Sequence, residues 1–256
     1  MGRASHPSFS PNGEVIEASA IAITDGMTKN SAGEDAAYVI PRTLRIDEIP
    51  SVIDKYRRSA ELAKAAGFDG VEVHGGNGQL SVSNTRTDQY GGSLENRARF
   101  LLELVDALVT VWPVGRVAAR LSSNSGFCGM GSSDNPELFI YVFQQLSRYG
   151  LAYVVILDGF GFGRHDKARL LTALDAKTHF QGPVLANNSY SRDIAEGATR
   201  SGAADFVSFG RPYISNPDLA ERFERDLPLS PEAPYRLWRD ASKGAEGYTD
   251  FPAHEA

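Results

Sequence analysis

Apolar positions along this chain recur at two periods, and the periods alternate. Between Glu48 and Ala66, residues Ile49, Val52, Ile53, Tyr56, Ala60 and Ala63 fall at helical spacing, and Gly67 follows where a C-terminal cap belongs. The run FDGVEVHG that comes next is short and β-rich. The couplet repeats: a predicted helix from Ser93 to Val111, with Ser93 as N-cap, leads into a strand from Arg116 to Leu121. Asn135 and Pro136 open another helix, which Gly150 closes before AYVVILDG. A helix near Lys167 to His179 precedes PVLANN, one from Arg192 to Ser201 precedes DFVSFG, and Asn216 with Pro217 starts a last helix through Arg225.

Strands that are apolar almost throughout, each alternating with a helix, argue a parallel sheet with helices outside it. His74, Ser122, Asp158, Asn187 and Arg211 stand at the C-terminal ends of those strands, where a barrel carries its chemistry. The predicted fold class is therefore α/β, a TIM (β/α)8-type barrel. Only five strands are evident where a closed barrel needs eight, so an incomplete barrel lacking the first two to three strands is expected. Its edges near Phe68 to His74 and Phe206 to Phe209 would be open to pairing, with a homo-oligomer as one outcome. The organisation expected is one domain over 1–256: a loop and hairpin region over 1–45, βα repeats over 46–226, and a tail over 227–256.

With 256 residues, of which 42% are hydrophobic and 23% charged, the chain can bury a full core. A formal net charge of -6 and scattered Lys and Arg offer no basic face for nucleic acid. Cys128 is the only cysteine, no secretory or membrane-spanning segment is evident, and a cytoplasmic location is expected. GFGFG, from Gly159 to Gly163, has the wrong spacing for a dinucleotide fingerprint, and the Asn187–Ser189 sequon is a chance match in such a compartment.

Chemistry concentrates around His74 and Asn77, an imidazole and a carboxamide three positions apart at the end of an apolar run. Two such donors can stabilise negative charge growing on a carbonyl oxygen. Arg120 has a bland alternative, since Glu72 shares the strand parity of His74 and could pair with it. Asn96 and Arg97 read as helix start and surface, while Asp158 is left unassigned.

Four motifs in order resemble those of the old yellow enzyme family: HGGNG after GFDGVEV, NTRTDQYGGSLENRARF, GRPYISNPDL, and GYTDFP. The resemblance runs from about Gly2 to Pro252, and GRASHPSF is similar to the segment after that family's third strand. It implies a barrel that binds FMN and reduces activated alkenes with NAD(P)H, acting on a small enone-type molecule. His74 and Asn77 would polarise the substrate carbonyl, and Arg120 would lie beside the flavin pyrimidine. Asn188, Ser189, Gly210 and Arg211 would cradle the phosphate, to which a guanidinium and backbone N–H groups are suited.

The chain departs from the family pattern in places. Counterparts of the family's first strands are not seen, and an incomplete reading frame is one expectation. Gln79 stands where a proton-donating Tyr is usual, and a carboxamide has no proton to give readily. Tyr90 and Tyr248 are candidate replacements. About six residues are missing between Leu80 and Ser81. The aromatic expected over the flavin aligns with Asp240 or Ala241, with Trp238 nearby, and Asn188 and Ser189 replace what is often a glycine pair. These departures keep open a flavin-independent double-bond isomerase or cyclase, and a catalytically inactive remnant.

Overall fold

The computed structural model describes residues 2–75, 84–158, 163–234, 237–238, 243–247 and 249–254. Four two-residue strands come first: β1 (Ile16–Glu17), β2 (Thr28–Lys29), β3 (Asp35–Ala36) and β4 (Arg42–Thr43). β2 and β3 form an antiparallel hairpin, and β1 runs parallel to β4. Strands this short cannot hold a layer in place alone. Arg86 does much of it, donating to the carbonyls of Ala18 at 3.2 Å and Leu44 at 2.5 Å while pairing with Asp88.

The βα repeats follow as α1 (Ile49–Ala65), β5 (Val71–His74), α2 (Leu94–Val109), β6 (Val117–Leu121), α3 (Asn135–Leu146), β7 (Val154–Leu157), α4 (Ala173–His179), β8 (Val184–Asn187), α5 (Arg192–Arg200), β9 (Phe206–Ser208), α6 (Arg211–Ser215) and α7 (Leu219–Glu224). Strands β5 to β9 form one parallel sheet in sequence order. Gly67 and Gly150, at φ +86° and +74°, turn the chain out of α1 and α3 in the left-handed region that favours glycine.

Strand parity divides the sheet into two faces. Val73, Val117, Ala119, Leu121, Val154, Ile156, Val184 and Ala186 are buried in one core cluster with Leu101, Val105 and Leu108 of α2 and Leu138, Val142, Phe143 and Leu146 of α3. The other face carries Glu72 and His74, Ala118 and Arg120, Val155 and Leu157, Leu185 and Asn187, and Phe206 and Ser208. Apolar burial thus fixes the register, and the polar ends of the second face follow from it. The outer edges of β5 and β9 have no strand partner among the described residues. Phe206 on β9 and Phe68 just before β5 are 54% and 67% exposed.

Two helices differ from the sequence pattern. The helix expected from Lys167 begins only at Ala173, because the Asn124 side chain takes up the backbone N–H and carbonyl of Leu171 and holds it out of a helix. Thr172 then starts α4 with a capping box to Asp175. The last helix begins at Leu219 rather than at Asn216, and a further short helix, α6, precedes it from Arg211 and ends at Asn216, whose Nδ2 bonds back to the Pro212 carbonyl.

Candidate active site

The C-terminal ends of β5, β6, β8 and β9 carry one polar row. His74 pairs in register with Arg120, and Asn187 pairs with Ser208. Arg120 Nη2 donates to Asn187 Oδ1 at 2.7 Å, and Asn187 Nδ2 donates to Ser208 Oγ at 2.9 Å and to its carbonyl at 3.1 Å. These residues share one face of the sheet; Arg120 is in register with Val155 and Leu185, two residues short of Asn187, and its long side chain reaches across β7 to the amide. Arg120 makes no ion pair with Glu72, so the bland alternative for this arginine is replaced by a neutral carboxamide partner. A guanidinium held by an amide keeps its full charge for a ligand.

His74 ends β5 with its side chain in contact with solvent. Burial of part of the ring lowers its pKa below the ordinary 6.5, the Arg120 charge lowers it further, and Glu72 opposes both. The imidazole is therefore neutral at pH 7 and able to offer one N–H. Its expected partner Asn77 lies outside the described residues, as do Gln79, Tyr248, Asp240, Ala241 and residues 159–162.

The turn after β8 continues the row into a second group. Asn188 and Ser189 both have positive φ, 106° and 58°, in a region where side chains are disfavoured, which explains why glycines would suit these positions. Arg211, the first residue of α6 after Gly210, donates from Nη2 to Ser189 Oγ at 2.7 Å. Its Nη1 lies 3.7 Å from Glu232, and its guanidinium sits 5.9 Å from the Trp238 ring centre. Trp238 is in turn fixed by Nε1 donating to the Ala233 carbonyl at 2.7 Å. A hydroxyl, a guanidinium and the backbone of a left-handed turn form a donor set that fits a phosphate dianion. Asn187 to Ser189 are consecutive, so this set adjoins the polar row directly.

Other candidates fall elsewhere. The Tyr90 hydroxyl donates to Glu103 at 2.9 Å, and burial together with that carboxylate pushes its pKa up to about 12, which removes it as an acid near neutral pH. Asp158 accepts a hydrogen bond from Tyr190 at 2.5 Å. Arg97 is not on the surface: its side chain is 10% exposed and ion-paired with Asp134, tying α2 to the start of α3. Asn187 was visible in sequence as a strand-end polar residue, but its bridge between Arg120 and Ser208 was not.

The profile of the NADH:flavin oxidoreductase / NADH oxidase family matches residues 8–230. 12-Oxophytodienoate reductase 1 of Oryza sativa subsp. japonica is 39% identical, over 98% of this chain and 67% of its own length. A probable flavin mononucleotide-dependent alkene reductase of Leishmania infantum is 35% identical, over 98% and 70% respectively. Among solved structures, the old yellow enzyme homologue from Zymomonas mobilis superposes with a TM-score of 0.91 at 33% identity, covering 99% of this chain and 72% of that one. Morphinone reductase in complex with tetrahydroNAD gives 0.87 at 34%, over 99% and 70%. The chain thus spans about two thirds of the length of its relatives, has the fold of their TIM barrels over that span, and belongs to the NADH:flavin oxidoreductase family, the old yellow enzymes.

Proposed function

We propose that this protein reduces the C=C bond of a small α,β-unsaturated carbonyl compound with NAD(P)H, using FMN. The observation that carries the reading is the placement of His74, Arg120 and Asn187 on one face of the sheet, with the Ser189–Arg211 contact next to Asn187 in the chain. Relatives named as 12-oxophytodienoate, morphinone and alkene reductases support the reaction class.

Arg211, Ser189, Asn188 and Gly210 would hold the FMN phosphate, and Arg120 would face the flavin ring. When bound, FMN supplies hydride chemistry. His74, neutral at pH 7, donates its N–H to the substrate carbonyl oxygen, with Asn77 as the second donor, and so stabilises the charge that grows there as the β-carbon is attacked. Fixing the substrate oxygen also fixes which carbon is presented. Gln79 offers no acidic proton, so the α-carbon takes its proton from water. The outer edges of β5 and β9, which have no strand partner among the described residues, support self-association of the chain.

The test is turnover of an enone with NAD(P)H and FMN, followed by mass spectrometry of the product. A gain of two hydrogens that is lost in His74→Ala supports the proposal. Conversion without change of mass and without NAD(P)H consumption would favour a flavin-independent isomerase instead, and no conversion under any condition would favour an inactive remnant.

A further inference from the structure

A cavity of about 250 Å³ lies between the N-terminal layer and helices α1 and α2, and none of His74, Arg120, Asn187 or Arg211 lines it. Its walls are mainly apolar, formed by Ile16, Leu44, Ile49, Val52 and Phe100. The space opens to solvent on one side, and an apolar cavity of about 150 Å³ already admits benzene.

Two further groups in the wall give it polarity. The Glu17 carboxylate accepts backbone N–H groups from Ala18 at 3.0 Å and from Arg3 at 3.5 Å, and makes no ion pair among the described residues. The half-buried Tyr56 hydroxyl has no hydrogen-bond partner among the described residues. Both arginines of the wall are ion-paired, Arg86 with Asp88 and Arg97 with Asp134, while the buried Arg97 Nε keeps one N–H without a partner among the described residues. Both guanidinium charges are balanced and Glu17 is unpaired among the described residues, so an anionic ligand is disfavoured, and the Glu17 carboxylate has lone pairs left beside the backbone N–H groups it accepts. A ligand hydroxyl can use both kinds of group, accepting from Tyr56 or the Arg97 Nε–H and donating to Glu17.

We propose that this cavity binds a small, uncharged ring compound bearing one hydroxyl, at a site separate from the strand-end row. The inference does not rest on the reductase reading. It is tested with 2-phenylethanol and ethylbenzene as probes, by saturation-transfer NMR and calorimetry on the full chain, beside Tyr56→Phe and Val52→Phe variants checked for folding by circular dichroism. The expected result is saturable binding of 2-phenylethanol, about tenfold tighter than that of ethylbenzene, weakened several-fold in Tyr56→Phe and abolished in Val52→Phe, whose larger side chain fills the space. Binding that survives Val52→Phe in a folded protein overturns the assignment, as does equal binding of the two probes or no binding at the solubility limit of the alcohol.

Discussion

Replacing Asn187 with alanine removes three hydrogen bonds at once. Arg120 Nη2 loses its acceptor at 2.7 Å, and the Ser208 hydroxyl and carbonyl lose their donors at 2.9 and 3.1 Å. A hydrogen bond to a charged group is worth about 1.5–3 kcal/mol and a neutral one about 0.5–1.5 kcal/mol, and the half-buried setting favours the lower end of the sum, about 2.5 kcal/mol. The expected loss is about 2–3 kcal/mol, read as a lower urea midpoint with an unchanged slope. Asn187→Asp separates the terms: it keeps, and strengthens by charge, the bond to Arg120 while giving up the donors to Ser208. This variant recovers more than half of the loss if the Arg120 contact dominates. A loss below about 0.5 kcal/mol in Asn187→Ala would refute the row as a connected unit. Equal losses in the two variants would show that Arg120 does not depend on residue 187.

Three further outcomes are expected. Thr172→Ala removes the hydroxyl that caps α4 and weakens the protein by about 1 kcal/mol, with Thr172→Ser restoring most of it, as measured by chemical denaturation. Because the folded pKa of His74 lies below its ordinary value of 6.5, the unfolded chain binds the proton more readily. Stability is full above pH 6.5 and falls as pH drops from there through the folded value, and thermal unfolding of His74→Gln across that window shows a shallower decline than the parent. Phe206→Lys on the outer edge strand β9 reduces self-association in sedimentation velocity if that edge takes part, whereas an unchanged distribution excludes the edge.

The sheet was legible because each of its strands is a short run with few polar interruptions, closed by a glycine, an asparagine or a polar turn. VEVH, VAARL, VVIL, VLAN and FVS lie within the stretches that the pattern marks. His74 and Asn187 were legible as strand-end polar residues and Arg120 through the family resemblance, and the face they share then follows from burying the alternate positions. What stayed hidden depends on partners distant in sequence. Leu171 is kept out of α4 by Asn124, 47 residues away, and no local propensity reports that. Arg97 looks like a solvated helix residue until Asp134, 37 residues on, draws it inward. Asn187 reads as a strand-end polar residue, and its bridging role exists only once β9 pairs with β8 and Arg120 reaches across β7. The short helix α6 is not marked by the pattern of apolar positions, although proline tolerates the first turn of a helix, and it begins at Arg211 and Pro212.

The central claim is that one polar row and the adjoining Ser189–Arg211 group together form a flavin site. Titration of the purified protein with FMN and with riboflavin, followed by quenching of flavin fluorescence, tests it most directly, because the two ligands differ only in the phosphate. The account predicts saturable FMN binding, riboflavin at least about tenfold weaker, and loss of that difference in Arg211→Met. Equal affinity for FMN and riboflavin in the unmodified protein, or a preference for FMN that Arg211→Met leaves intact, would contradict it.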